Sequence, residues 1–80
     1  NMKFDTDIQR LSKIISAGSQ FWKDLSYFAL NKKILSEKEM EILAIACKMD
    51  YKTIPSEKQA VVLEKVYEKC ILEGYDKSLD

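Results

Sequence analysis

The sequence predicts an all-α protein, a compact bundle of four helices forming a single domain over residues 1–80. The first observation behind this prediction is a pair of near-identical tetrads, SEKE at Ser36–Glu39 and SEKQ at Ser56–Gln59. Each has the spacing of a capping box, in which a serine hydroxyl accepts from the backbone N–H three residues later and the Glu or Gln side chain accepts from the serine N–H. The second observation is that apolar residues recur every three or four positions between these signals.

The first two predicted helices lie on either side of Gly18. The first begins at Asp5 or Thr6, which can serve as the N-cap, and ends at the glycine. The second follows Ser19 as its N-cap and runs over about residues 20–31. It carries four aromatic residues, Phe21, Trp22, Tyr27 and Phe28. Their apolar arc is broader than one core contact needs, so the aromatics either close a small core or form a surface platform for binding.

The third and fourth predicted helices each begin at a capping box. The third, residues 37–48, is apolar almost all round after its first turn, which predicts a place at the centre of the bundle. The fourth, residues 57–73, ends at Gly74 as its C-cap, with Tyr75 packing back on the helix. Residues 76–80 are predicted to be a frayed polar tail, and Asn1, which precedes Met2, to be a remnant of a cleaved tag.

The chain contains 13 basic and 13 acidic residues, which argues against a protein dedicated to binding polyanions. Residues 1–38 are weakly basic and residues 39–80 weakly acidic, an asymmetry that suits an oriented contact. No apolar run reaches the roughly 20 residues of a membrane span, and no signal peptide opens the chain. These features predict a cytoplasmic protein that does not bind a membrane.

No group of residues has the spacing of a catalytic or metal site. The chain has no histidine to serve as a base for a serine nucleophile or to complete a zinc site, and Ser36 and Ser56 are assigned to caps. Cys47 and Cys70 are predicted to be reduced core thiols, with a disulfide as the alternative. We therefore expect no enzymatic activity, cofactor or metal.

The second predicted helix carries the residues most suited to an interaction. They are Trp22, Lys23, Tyr27, Asn31, Lys32 and Lys33. Aromatic side chains anchor protein contacts and stack on unpaired bases, whereas lysines contact phosphates. The short link at Gly18 also has the length of the turn in a helix-turn-helix, so the second helix could contact nucleic acid as the minority alternative.

Five segments in order resemble a helical module in the C-terminal region of larger prokaryotic proteins. They are FWKDL at Phe21–Leu25, LSEKE at Leu35–Glu39, ILAIA at Ile42–Ala46, IPSEKQ at Ile54–Gln59 and EGY at Glu73–Tyr75. The module resembles those of abortive-infection phage-resistance (AIPR) proteins and DNA-processing proteins. The resemblance implies an accessory domain whose parent carries any catalytic residues elsewhere.

The sequence thus predicts a non-catalytic interaction module acting through protein–protein contact, within a larger polypeptide or by self-association. The alternative is a weak nucleic-acid-binding domain that uses the second helix.

Overall fold

The computed structural model describes residues 7–79, which form three α-helices. The helices are α1 (Asp7–Lys32), α2 (Glu37–Cys47) and α3 (Glu57–Leu72), and the described residues contain no strand. The all-α prediction is confirmed. The prediction of four helices is wrong, because the first two predicted helices are the two halves of α1, joined at a kink. Asn1 and the predicted N-caps at positions 5 and 6 lie outside the described residues.

The kink in α1 is at Gly18, whose φ of +83° and ψ of 159° are not helical. Glycine reaches this conformation readily because it has no Cβ. Across the kink, the indole Nε1 of Trp22 donates to the backbone carbonyl of Ile14 at 3.1 Å, and both residues are fully buried. In a regular helix that carbonyl accepts from the N–H of residue 18. The indole therefore adds a hydrogen bond across the kink, and the chain resumes the helix without a loop.

The beginnings of α2 and α3 are fixed by the two predicted capping boxes, which are confirmed. The hydroxyl oxygens of Ser36 and Ser56 accept from the backbone N–H groups of Glu39 and Gln59, each at 3.1 Å. The side chains of Glu39 and Gln59 accept in return from the two serine N–H groups at 2.8 and 2.9 Å. Local sequence alone therefore places both helix starts.

α3 ends in a Schellman motif with Glu73 as its C-cap and Gly74 one residue after it, whereas the sequence predicted Gly74 itself as the C-cap. Gly74 has a φ of +106°. Its N–H donates to the carbonyl of Ile71 at 3.1 Å, and the N–H of Tyr75 donates to that of Cys70 at 2.9 Å. The side chain of Tyr75 turns back into the core, where its ring lies 5.1 Å from that of Phe28.

The core lies between the three helices, each of which contacts the other two. Its fully buried hydrophobic residues are Ile14, Trp22, Leu25, Ala29, Ala46, Ala60, Leu63, Val66 and Cys70. Phe21 packs edge-on against Trp22, with ring centroids 5.1 Å apart. Most of the aromatic residues predicted on the second helix thus close the core rather than form a platform.

Ion pairs link α3 to each of the other two helices. Arg10 on α1 donates from Nε to Oε1 of Glu64 on α3 at 2.9 Å, and Glu64 is the only charged residue in the buried part of the described structure. Lys69 on α3 donates to both carboxylate oxygens of Glu39 at 2.8 Å. Burial acts to raise the pKa of Glu39, but the hydrogen bonds from Lys69 and Ser36 lower this pKa overall. Glu39 therefore serves both the α2 cap and the contact with α3.

The segment after α3 packs on the bundle, in contrast to the predicted frayed tail. Leu79 is buried, and its N–H donates to the hydroxyl oxygen of Tyr67 at 3.0 Å. Lys77 pairs with Asp24 on α1 at 2.8 Å and lowers the pKa of that carboxyl. Apart from Leu79, residues 76–79 are polar, so their sequence gives no signal that the segment packs on the bundle.

No helix of the described residues combines the length and the apolar character that crossing a membrane requires.

Removing either helix cap should destabilise the protein measurably. We expect Ser36→Ala and Ser56→Ala each to lower the free energy of unfolding by about 1 kcal/mol, because each leaves a backbone N–H at the start of a helix without its acceptor. Urea denaturation followed by circular dichroism measures the loss. Ser12→Ala, at an exposed position within α1, is the control and should change little. Equal midpoints for all three variants would contradict the role of the caps.

Candidate interaction surface

The structure separates the six predicted interaction residues into one that is buried and five that are exposed. Trp22 has no exposed surface, so it is not available to a partner. Its place is in the core because its ring packs against Phe21 and its indole nitrogen is bonded to Ile14. The other five are Lys23, Tyr27, Asn31, Lys32 and Lys33, and all are exposed.

The exposed residues form two groups on the second half of α1. Lys23, Tyr27 and Asn31 are four residues apart, so they share one stripe along the outer side of the helix. Tyr27 is 71% exposed. Lys32 and Lys33 lie at the end of α1, where the Lys32 ammonium is 5.6 Å from the centroid of the Phe28 ring. A cation–π contact thus engages Lys32, and among these five exposed residues Tyr27 is the one that offers an aromatic face to a partner.

A second exposed surface lies on α2, where the sequence predicted burial on most sides. Five exposed residues follow each other at helical spacing: Glu37, Met40, Glu41, Ala44 and Lys48. We call them the α2 stripe. The prediction that this helix is central is wrong, because α1 and α3 pack on only one side of it, through Ile42, Leu43 and Ala46. Met40, in the middle of the stripe, is 38% exposed.

An apolar groove runs between α1 and α2. Its lining residues are Ser26 and Leu30 from α1 and Met40, Leu43, Ala44 and Cys47 from α2. Leu30 is 52% exposed at the edge of the groove. The volume of about 230 Å³ lies below the roughly 300–1,000 Å³ of pockets that enclose small molecules. The α1–α2 groove therefore suits one or two side chains of a macromolecule better than a cofactor.

Lysines border both ends of the α1–α2 groove. Lys48 lines the end beside Cys47, and Lys33 lines a continuation of the groove beyond Leu30 and Met40. Lys23 is close enough to Cys47 to favour its thiolate electrostatically. Among residues 7–79, none of these three lysines is in an ion pair. The groove thus presents apolar side chains between unpaired positive charges.

The two thiols are free, which agrees with the prediction of reduced cysteines. Burial raises the pKa of Cys47, although a hydrogen bond with Ser26 and the charge of Lys23 act in the opposite direction. Burial also raises the pKa of Cys70, to about 11. A catalytic cysteine needs a lowered pKa, so neither thiol has the character of a nucleophile at neutral pH.

Within the described part of the chain, no three His, Cys, Asp or Glu side chains come together as metal ligands. The helix-turn-helix predicted at Gly18 is also not formed, since Gly18 lies within α1 and no turn of three or four residues separates the two halves of that helix. The surface formed by α1 and α2 is therefore the candidate functional site.

Sequence reasoning missed Leu30, Met40 and Ala44 as surface residues. A signal for them was present in the apolar character of α2 on nearly all sides. Such a helix is buried in its own domain or leaves a face for a partner. The sequence could not decide between these outcomes, because the packing of α1 against α3 determines which side of α2 is covered.

No family model matches the chain, and no match was found among curated proteins or solved structures.

Proposed function

We propose that the chain is a non-catalytic interaction module that binds protein through the α1–α2 groove and the α2 stripe beside it. One observation carries the proposal. A helix whose sequence is apolar almost all round leaves Met40 and Ala44 exposed, next to the exposed Leu30 of α1. Apolar side chains gathered at one groove are typical of an interface rather than of a solvated surface.

The residues around the groove are arranged as in protein interfaces. Tyr27 is one turn from Leu30 on α1, and an exposed tyrosine beside apolar contacts is a common anchor. Lys33 and Lys48 line the two ends of this apolar centre, and Lys23 lies near Cys47, so positive charge borders it as polar rims border interface cores. The same groove has no carboxylate in its lining that a lysine could neutralise.

Protein contact is better supported than nucleic-acid binding. The burial of Trp22 removes the largest stacking surface from the second half of α1. Tyr27 alone remains as an aromatic platform beside the lysines, and the formal net charge of the chain is zero. Affinity for nucleic acid depends mainly on phosphate neutralisation, which this charge balance does not favour.

The setting of this module rests on the sequence resemblance alone. On that basis we propose that the chain serves as an accessory part of a larger prokaryotic defence or DNA-processing system. In such a system the groove would hold the module on a protein while the chemistry occurs elsewhere.

Photo-crosslinking from the groove tests the proposed function. We expect the photoreactive residue p-benzoylphenylalanine in place of Tyr27 or Met40 to form covalent protein adducts in the source cells. Leu30→Asp, added to either variant, should reduce the adduct yield about tenfold, because a charge at the centre of an interface removes a hot spot. Denaturing gels measure the yield, and circular dichroism checks that the half-exposed site tolerates the aspartate.

The control carries the photoreactive residue at Lys65, an exposed position of α3. We expect no adduct from it. Adducts that disappear on nuclease treatment would show nucleic-acid binding in place of protein contact. Equal yields from positions 27 and 65, or yields indifferent to Leu30→Asp, would remove the groove as the interface.

A further inference from the structure

We propose that the protein bound by this surface is a second copy of the chain, with the two α2 helices antiparallel across a two-fold axis near Ala44. The inference rests on the proposed function and names its partner. It rests on the order of charges along the α2 stripe. When a second stripe runs in the opposite direction, its basic end lies beside the acidic part of the first.

The charged residues of the α2 stripe are acidic in its first part and basic at its end. In chain order the stripe is Glu37, Met40, Glu41, Ala44 and Lys48, so Met40 lies between the two glutamates, and Ala44 lies between Glu41 and Lys48, the C-cap of α2. Their spacings of three, four and seven residues place them on one face of the helix. None of the three charged residues has an ion-pair partner in the structure of residues 7–79.

A two-fold axis brings the opposite charges together. In an antiparallel pair centred near Ala44, the end of one α2 lies beside the beginning of the other, so Lys48 of each copy faces Glu41 of its partner. A contact with two-fold symmetry repeats every pair, which gives two Lys48–Glu41 pairs at the rim. A parallel arrangement would instead put Lys48 against Lys48. The charges therefore select the antiparallel orientation.

The middle of the stripe suits close approach of two helices. Ala44 is small, so the backbones can come near each other at the axis. Met40 then lies on either side of it, and Leu30 of α1 extends the apolar surface next to Met40. Methionine adapts its shape to irregular contacts. The dimer thus covers Met40 and Ala44, the exposed apolar residues of the α2 stripe.

Charge reversal tests the pairing. Sedimentation velocity over a concentration series should show a monomer–dimer equilibrium for the unchanged chain. Glu41→Lys and Lys48→Glu should each weaken dimerisation by about tenfold or more, because each places like charges opposite one another at both pairs. An equimolar mixture of the two variants should recover dimers. In the mixed dimer, the lysine introduced in one variant faces the glutamate introduced in the other, and the unchanged Lys48 faces the unchanged Glu41 at the second pair.

Two variants serve as controls. Lys65→Glu makes the same charge change as Lys48→Glu at an exposed site on α3, and Tyr51→Lys changes the most exposed aromatic residue of positions 7–79, 89% accessible, in the α2–α3 loop. Neither should affect dimerisation. A monomer at every concentration, or a dimer that does not respond to reversal and mixing, would overturn the inference. Groove-dependent crosslinks to another protein would in that case leave the proposed function standing.

Discussion

Replacing Trp22 with alanine should lower the free energy of unfolding by about 3–5 kcal/mol, the cost of deleting a large aromatic side chain from a packed core. The side chain is fully buried, packs against Phe21 and donates to Ile14. Small domains have total stabilities of about 5–15 kcal/mol, so this one change removes much of the margin. Thermal unfolding followed by far-ultraviolet circular dichroism measures it.

Two further variants separate the contributions of Trp22. Trp22→Phe retains most of the apolar contact but removes the indole N–H, leaving the carbonyl of Ile14 without this donor. We expect a smaller loss, about 1–3 kcal/mol. Tyr27→Ala, at the exposed aromatic position of the same helix, should change stability by no more than about 0.5 kcal/mol. If Trp22→Ala melted no earlier than Tyr27→Ala, the burial of Trp22 would be refuted.

Gly18→Ala should destabilise the protein by about 1–3 kcal/mol. The φ of +83° with a ψ of 159° lies in a region that is nearly restricted to glycine, and an alanine there is strained. Apart from the adjoining residues and the backbone of the helix itself, a Cβ at this position would meet no atom within 4 Å, so the cost arises from the backbone conformation and not from a clash with packed side chains. Urea denaturation measures the change in the free energy of unfolding.

The sign of the Gly18→Ala effect distinguishes a kinked α1 from a straight one. In a regular helix, alanine in place of glycine stabilises by about 1 kcal/mol. Ser16→Ala, an exposed position two residues earlier, gives the matched baseline for a helical alanine. A gain in stability from Gly18→Ala would show that residue 18 is helical in solution.

The helix starts that depend on neighbouring residues could be predicted from the sequence. Ser36 and Ser56 determine where α2 and α3 begin because the capping box forms within four residues and needs no tertiary contact. The end of α3 next to Gly74 follows from the same kind of local signal. Such features were correctly placed because each depends on bonds between residues that are near in sequence.

The number of helices could not be predicted, because Gly18 is compatible with two outcomes. A glycine after an apolar stripe is typical of a helix end, and the sequence does not show whether the chain turns away or continues. The continuation depends on Trp22 reaching back to Ile14 within a core formed by all three helices. That contact is tertiary in origin, since the core holds the indole in place.

The candidate surface was predicted only in part, because exposure of a side chain also depends on tertiary packing. Lys23, Tyr27 and Asn31 were identified from residue type and are exposed, whereas Trp22 was placed in the same set and is buried. The two aromatic residues lie in the same helix, and the packing of the three helices around the core decides which one faces inward. Residue type therefore indicates which side chains could bind, and packing decides which of them are accessible.

Trp22, which is bonded to Ile14 across the kink, also serves as a fluorescence probe of that site. Trp22 is the only tryptophan of the chain, so all tryptophan emission comes from one site, beside the kink. The wavelength of maximum emission reports whether water has reached that site, whereas circular dichroism reports the helix content of the whole chain. Coincident transitions in the two signals would mean that both halves of α1 unfold with the whole domain, and earlier loss of the fluorescence signal would mean that the kink opens first.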